Sequence, residues 1–254
     1  METELCAYSV EAVRTAARLG ATRVELCASP TEGGTTPSAA TIAMAREVAG
    51  ERAGRPLELS VMIRPRGGDF LYDDEEFEQM RRDIAFAKNA GADGVVFGLL
   101  TPEGEVDVTR TRELVNLAMP MESTFHRAID VARDPVRALE DIVAAGCRRV
   151  LTSGGRATAL EGIDTIREMV RVAAGRIEIM AGSGVNPANG RTLAATGVDA
   201  LHFSARAVRE GGMEYRSPHV SFSPEGSSDH QIAYADPGFV EKMVEIAKTL
   251  KSTI

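Results

Sequence analysis

Apolar and polar residues alternate along this chain in short bursts. Each burst closes on a glycine or charged turn and gives way to a helical repeat. Runs rich in β-branched and apolar residues stand at 3–7 (TELCA), 23–27 (RVELC), 57–63 (LELSVMI) and 94–98 (GVVFG). Four more follow at 122–126 (ESTFH), 149–153 (RVLTS), 176–180 (RIEIM) and 200–204 (ALHFS). Their period predicts strands. Between them the apolar positions move to helical spacing, as in SVEAVRTAARLG (9–20) and DEEFEQMRRDIAFAKNAG (74–91). The second of these ends at a glycine suited to a helix C-terminus.

The phrases LGATRVEL, AGADGVVF, AGCRRVLT and TGVDALHF each carry a helix into the next strand. Recurrence of that kind is the mark of repeated βα units. Eight units in 254 residues predict a (β/α)8 TIM-like barrel in the α/β class, a single domain over 1–254. A doubly wound sheet is the competing architecture, but strand one runs into AYSVEA with no GxGxxG, so no nucleotide cofactor is expected. Segment 207–235, rich in Ser, Gly and Pro, lies between the last strand and the last helix. A connection of that length predicts a lid, an oligomer arm or a mobile loop.

Alternation along barrel strands turns one side chain set toward the helices and the other toward the lumen. By that count Glu4, Cys6, Glu25, Cys27, Ser60, Met62, Arg64, Thr124, His126, Glu178, Met180, His202 and Ser204 face inward. An ordinary barrel interior is filled with Val, Ile and Leu. A lumen holding carboxylates, imidazoles, thiols and an arginine needs its charges paired, and Glu4 or Glu25 with Arg64 is the expected ion pair. A salt-bridge layer with no chemistry is the plainer reading of the same residues. The strand-end positions of Glu25, Arg64, His126, Ser153 and Ser204 argue for a site instead, because barrel sites are built at the C-terminal ends of strands.

Three constellations carry candidate chemistry. The stretch MIRPRGGDF (62–70) puts two guanidiniums and a double glycine directly after a strand, a cradle suited to an anion. Arg64 and Arg66 would face the loops after strands six, seven and eight, where Ser153, Gly182, Gly184 and Ser204 would complete an anion site. Second, His126 with Asp130 four residues on, together with Glu25 and Asp69, is equipment for acid–base catalysis. The lysines at 88, 242, 248 and 251 lie in helices or the tail, so Schiff-base chemistry is not expected. Third, Cys6 and Cys27 lie on adjacent strands about 4.8 Å apart, both turned inward. Two soft thiolates so placed suit Cu(I), whereas a full tetrahedral zinc set is not evident. Buried free cysteines also pack simply as small apolar groups.

Composition narrows the partners. The net charge of -8 offers no basic field for nucleic acid or anionic lipid. No apolar run approaches the roughly 20 residues that span a bilayer. The N-terminus has neither the basic nor the apolar region of a secretory signal. Three cysteines without CxxC spacing suit reduced thiols, hence a cytoplasmic location.

The motifs ELCAYSVEA, RVELC, EGGTTPS, VMIRPRGGDFLY, DGVVFGLLTPEGEVD, TFHRAID, LTSGG, IMAGSGVNP and HFSAR run in order from about residue 4 to 206. Together they closely resemble the copper homeostasis protein CutC family. Departures are small: Ile129 where an aromatic is commoner, and Ser183 in a loop that is often all glycine. The resemblance implies a TIM-like barrel, a cytoplasmic copper-homeostasis role, Cu(I) bound by Cys6 and Cys27, and a homodimer or higher homo-oligomer. The residues themselves leave a second function open, an enzyme acting on a small anionic or phosphorylated metabolite at the mouth of the barrel.

Overall fold

Valine, leucine and isoleucine at every second position commit the eight apolar runs to extended backbone, with one face to be buried against helices. In the computed structural model, which describes residues 1–50, 56–223 and 228–251, these runs close into an eight-stranded parallel barrel. The strands are β1 (Glu2–Ala7), β2 (Arg23–Leu26), β3 (Glu58–Met62), β4 (Gly94–Phe97), β5 (Glu122–Phe125), β6 (Arg149–Thr152), β7 (Glu178–Ala181) and β8 (Ala200–Phe203). Each pairs with its neighbour in sequence, and β8 closes on β1. The expected TIM-like barrel is therefore the observed fold.

Among the described residues eight α-helices surround it: α1 (Val10–Leu19), α2 (Ala39–Gly50), α3 (Asp74–Asn89), α4 (Val108–Ala118), α5 (Pro135–Ala145), α6 (Ile163–Ala173), α7 (Gly190–Ala194) and α8 (Pro237–Lys251). Local chemistry sets their ends. Ser9 caps α1 by accepting the N–H of Ala12, and Gly20 ends it in the left-handed conformation at φ 88°. Asp73 and Glu76 form a reciprocal capping box at the start of α3. Leu5, Val24, Leu59, Val61, Phe97, Val150 and Leu201 pack outward against these helices in one continuous apolar core. Among the described residues two small apolar groups remain inside the barrel, Cys6–Cys27–Met62–Val96 and Leu151–Met180–Ala200. The lumen is otherwise polar, as the alternation requires.

Several strands stop one residue short of the expected ends, which leaves Cys27, His126, Ser153 and Ser204 just beyond them at the mouth.

Segment 207–235 is more ordered than a plain loop. Its ends form an antiparallel ribbon, β9 (Arg206–Glu210) with β10 (Gln231–Ala235). Arg209 anchors the ribbon to α1 through two bonds to the Glu11 carboxylate, at 2.8 and 2.9 Å. Between the strands lie exposed apolar side chains, Phe222 at 92% and Tyr215 at 69% exposure. Among the described residues, no helix is long and apolar enough to cross a membrane.

Candidate functional site

The lumen is built in two storeys. The lower storey is an ion-pair layer. Arg23 on β2, 1% exposed, binds the Glu4 carboxylate of β1 and also reaches Glu2 and Glu58 at 3.2 and 3.1 Å. Arg149 on β6 meets Glu122 at 2.9 Å, Glu178 at 2.8 Å and the Thr124 hydroxyl at 3.2 Å. The expected pairing of Arg64 with Glu4 or Glu25 does not occur. Glu4 lies level with Arg23 and His202 across the sheet, whereas Arg64 follows the end of β3 and stands above them.

The upper storey begins at Glu4. Its second oxygen, Oε1, lies 2.8 Å from His202 Nδ1. Burial works to raise the Glu4 pKa, but Arg23, His202 and Arg149 outweigh it and bring it down to about 2. Burial works to lower the His202 pKa, yet Glu25, Cys6 and Glu4 around the ring raise it well above the usual imidazole value. The far ring nitrogen, Nε2, faces the β1 thiol and lies 3.7 Å from Glu25.

Cys6 and Cys27 stand with their sulfurs 4.0 Å apart. The hydrogen bond from Cys27, with support from His202, pulls the Cys6 pKa well below the usual thiol range, and burial and the Cys6 charge push Cys27 up. The pair therefore holds one proton. Glu25 Oε2 lies 3.5 Å from the Cys27 sulfur, and burial together with the Cys6 charge pushes the Glu25 pKa well above the usual carboxylate range. One ligand atom from each of Cys6, Glu25 and Cys27 lies within 4.8 Å of the others. Gly34 closes this corner: its φ is +98°, and a Cβ there would stand 3.3 Å from Cys27 Sγ, so glycine is required.

Above the thiols a cavity of about 670 Å³ opens at the C-terminal mouth. Cys6, Glu25, Met62 and His202 line its floor, Arg64, Phe70 and His126 one wall, and Gly184 and Ser204 the loops after β7 and β8. Arg64 is buried, and its guanidinium donates to three backbone carbonyls: Glu32 at 2.6 Å, Gly34 at 3.0 Å and Gly68 at 2.8 Å. His126 accepts the N–H of Ala128 at Nδ1, 3.2 Å away, which puts its own proton on Nε2. Burial, then the Arg64 charge, lowers its pKa to about 3, so the ring is neutral. Gly98 makes room for it: a Cβ there would meet His126 Nδ1 at 2.5 Å.

Five of the expected site residues take a place or a role other than the expected one. Arg66 points away from the cavity and is held by Glu76 at 2.5 Å and Asp69 at 3.2 Å. Asp69 is largely exposed and lies off the cavity wall. Asp130 borders the cavity but does not orient His126. The short 3-10 turn Arg127–Val131 swings its carboxylate onto the loop after β6, where it accepts from Thr152, the N–H groups of Ser153 and Gly155, and Arg127. That loop cradles a negative charge, but the charge is the protein's own carboxylate and not a bound anion. Ser153 is consequently occupied and fully buried. Gly182 sits beneath the mouth, packed so tightly that a Cβ would stand 2.4 Å from Leu151. The residues that sequence reasoning left without a role are Arg23, His202, Phe70 and Gly98. His202 was the most accessible of them, since closing the barrel sets strand eight beside strand one and hence His202 beside Glu4.

Known proteins bear on this geometry. The sequence model of the CutC family matches residues 1–207. The chain belongs to the CutC family. A CutC family protein of Bacteroides fragilis is 47% identical over 252 residues, covering 99% of this chain and 95% of that protein. The human copper homeostasis protein cutC homolog is 41% identical over 249 residues, covering 97% and 89%. Among solved structures, a Streptococcus agalactiae CutC superposes with a TM-score of 0.75 at 34% identity, over 80% of this chain and 97% of that one. Thiamine phosphate pyrophosphorylase from Pyrococcus furiosus, at 16% identity and TM-score 0.60, shares the barrel alone.

Proposed function

We propose that this CutC protein handles Cu(I) in copper homeostasis, holding one ion between Cys6 and Cys27. The observation that carries the reading is the 4.0 Å separation of two buried sulfurs. It is too long for a disulfide, whose sulfurs are about 2.05 Å apart. It is short enough for one ion to touch both, since metal–thiolate bonds are about 2.3 Å in zinc sites. Soft thiolates select Cu(I), and the third group in reach, Glu25, is a hard ligand held protonated. Loading the site requires Cys27 to give up its proton. Cys6 is already a thiolate, its charge balanced by His202, which Glu4 orients. Cys6 also lines the open cavity, so the ion has a route in and out. The reading carries with it a cytoplasmic location, where free thiols stay reduced. Anaerobic competition with a Cu(I) chelator tests it. Cys6→Ser and Cys27→Ser should each abolish tight binding, and Cys147→Ser should leave it unchanged. Equal affinity of wild type and Cys27→Ser would dismiss the site.

A second reading, chemistry on a small bound molecule, is favoured by the cavity itself. Two thiolates do not require 670 Å³ of space bordered by Arg64, His126 and a protonated Glu25. Glu25 would supply the proton, and His126 would donate a hydrogen bond. Native mass spectrometry of the protein from its own cytosol would reveal such a molecule. Copper alone, in repeated preparations, would leave only the first reading.

A further inference from the structure

We propose that the cavity binds a small organic acid, with its carboxylate or phosphate held between Arg64 and the Nε2–H of His126. The proposal deepens the second reading above and rests on the cavity wall, not on the thiol pair.

Arg64 carries a full charge at 5% exposure. Its hydrogen bonds go to three backbone carbonyls, with the Tyr72 hydroxyl also beside it, so dipoles surround it but no carboxylate among the described residues pairs with it. A buried charge without a counter-ion is costly. Of the nearby acids, Asp69 is paired with Arg66 and Asp130 with the nest after β6, while Glu32 offers Arg64 its backbone carbonyl and forms no ion pair with it. His126 adds a second unmet demand. Its Nδ1 is occupied by Ala128, which leaves a proton on Nε2, and Nε2 is buried with no acceptor among the described residues. Buried donors in folded proteins almost always find a partner.

The two demands fall on one wall. Phe70 packs against both groups, 4.9 Å from the His126 ring centre and 4.9 Å from the Arg64 guanidinium carbon. An anionic group seated there would satisfy both, and a charge-assisted bond to each is the stronger kind. The remainder of the cavity is apolar where Phe70, Leu151, Phe203 and Phe239 border it, so the ligand has an organic body. Its volume of about 670 Å³ falls within the range of roughly 300–1,000 Å³ typical of small-molecule sites. A ligand so placed would also lie over Cys6 and Glu25 on the floor.

The test uses apo protein carrying 15N-labelled histidine, titrated with benzoate, phenyl phosphate and the neutral isostere benzamide. His126→Gln assigns the His126 resonances among the four histidines. At least one acid should shift the His126 signals saturably at millimolar concentration, while benzamide does not. Preference for benzoate or phenyl phosphate identifies the anionic group. His126→Phe should weaken the preferred acid at least about tenfold. His126→Gln, which keeps an N–H donor, should retain binding even if the phenylalanine variant is unstable. Cys147→Ser, buried away from the cavity, should bind the acid as wild type does. Absence of a saturable shift with either acid, equal binding of benzamide, or undiminished binding by His126→Phe would overturn the proposal. None of those results touches the copper site.

Discussion

His202 Nδ1 lies 2.8 Å from Glu4 Oε1, and through that contact the ion-pair layer at the bottom of the barrel reaches the thiols at its mouth. Arg23 holds Glu4, Glu4 holds His202, and His202 stands beside Cys6. Cooperation of this kind makes Glu4 the residue whose loss should be felt at both levels. Glu4→Gln would leave Arg23 buried without its main counter-charge, and breaking such a pair costs about 3–5 kcal/mol. A urea titration should show that loss as a lower midpoint. An unchanged midpoint would mean that Glu2 and Glu58 suffice for Arg23.

His126 should make stability depend on pH in a particular direction. In the unfolded chain its ring protonates below about pH 6.5, whereas in the folded protein it does so only below about 3. Between those values the unfolded state binds more protons, so stability falls as the pH is lowered from 6.5 toward 3 and levels off beneath. Glu4 adds the same sign at lower pH, its contribution being present above about 4.5 and lost as pH falls through about 2. Denaturation midpoints measured from pH 7 to pH 4 should therefore drop less steeply in His126→Gln than in wild type. Parallel curves would show that His126 takes up its proton in the folded state.

The three cysteines should separate by reactivity. Cys147 is buried away from the lumen, and burial pushes its pKa up to about 12, so almost none of it is thiolate at pH 7.5. Cys6 lines the open cavity, and the Cys27 hydrogen bond lowers its pKa well below the usual thiol range. Brief treatment with iodoacetamide followed by peptide mapping should label Cys6 and spare Cys147. Labelling of Cys147 first would contradict the assignment.

Gly98 should prove essential to the position of His126. A methyl group there would stand 2.5 Å from Nδ1, closer than any real side chain contact. The alanine variant, Gly98→Ala, must displace the imidazole or the strand, and clashes of this kind cost typically about 1–3 kcal/mol. Histidine-selective NMR should show a shifted His126 signal. A resonance at the wild-type position would mean that the ring is not confined by β4.

The barrel was legible in the sequence because every βα unit states its own period and its own turn. The inward direction of Glu4, Cys6, Glu25, Cys27, His126 and His202 was equally legible, since alternation along a strand is a local property. Depth was not. The strands of a barrel are staggered, so two inward residues meet only if the stagger brings them level, and for that reason Glu4 met Arg23 and not Arg64. Asp130 was expected beside His126 and lies elsewhere for a different reason. Four residues from His126 would share a face in an α-helix, but the chain there takes a 3-10 turn, and the carboxylate turns to the loop after β6. Arg66 lies past Pro65, beyond the reach of strand alternation, and the capping box at Asp73 and Glu76 claims it.

The central claim, that Cys6 and Cys27 together hold Cu(I), is tested most directly by X-ray absorption at the copper edge on anaerobically loaded protein. The account predicts a Cu(I) edge with a first shell of two sulfurs, reduced to a single sulfur or lost altogether in Cys27→Ser. A shell dominated by nitrogen or oxygen in wild type, or an identical two-sulfur shell in Cys27→Ser, would contradict it.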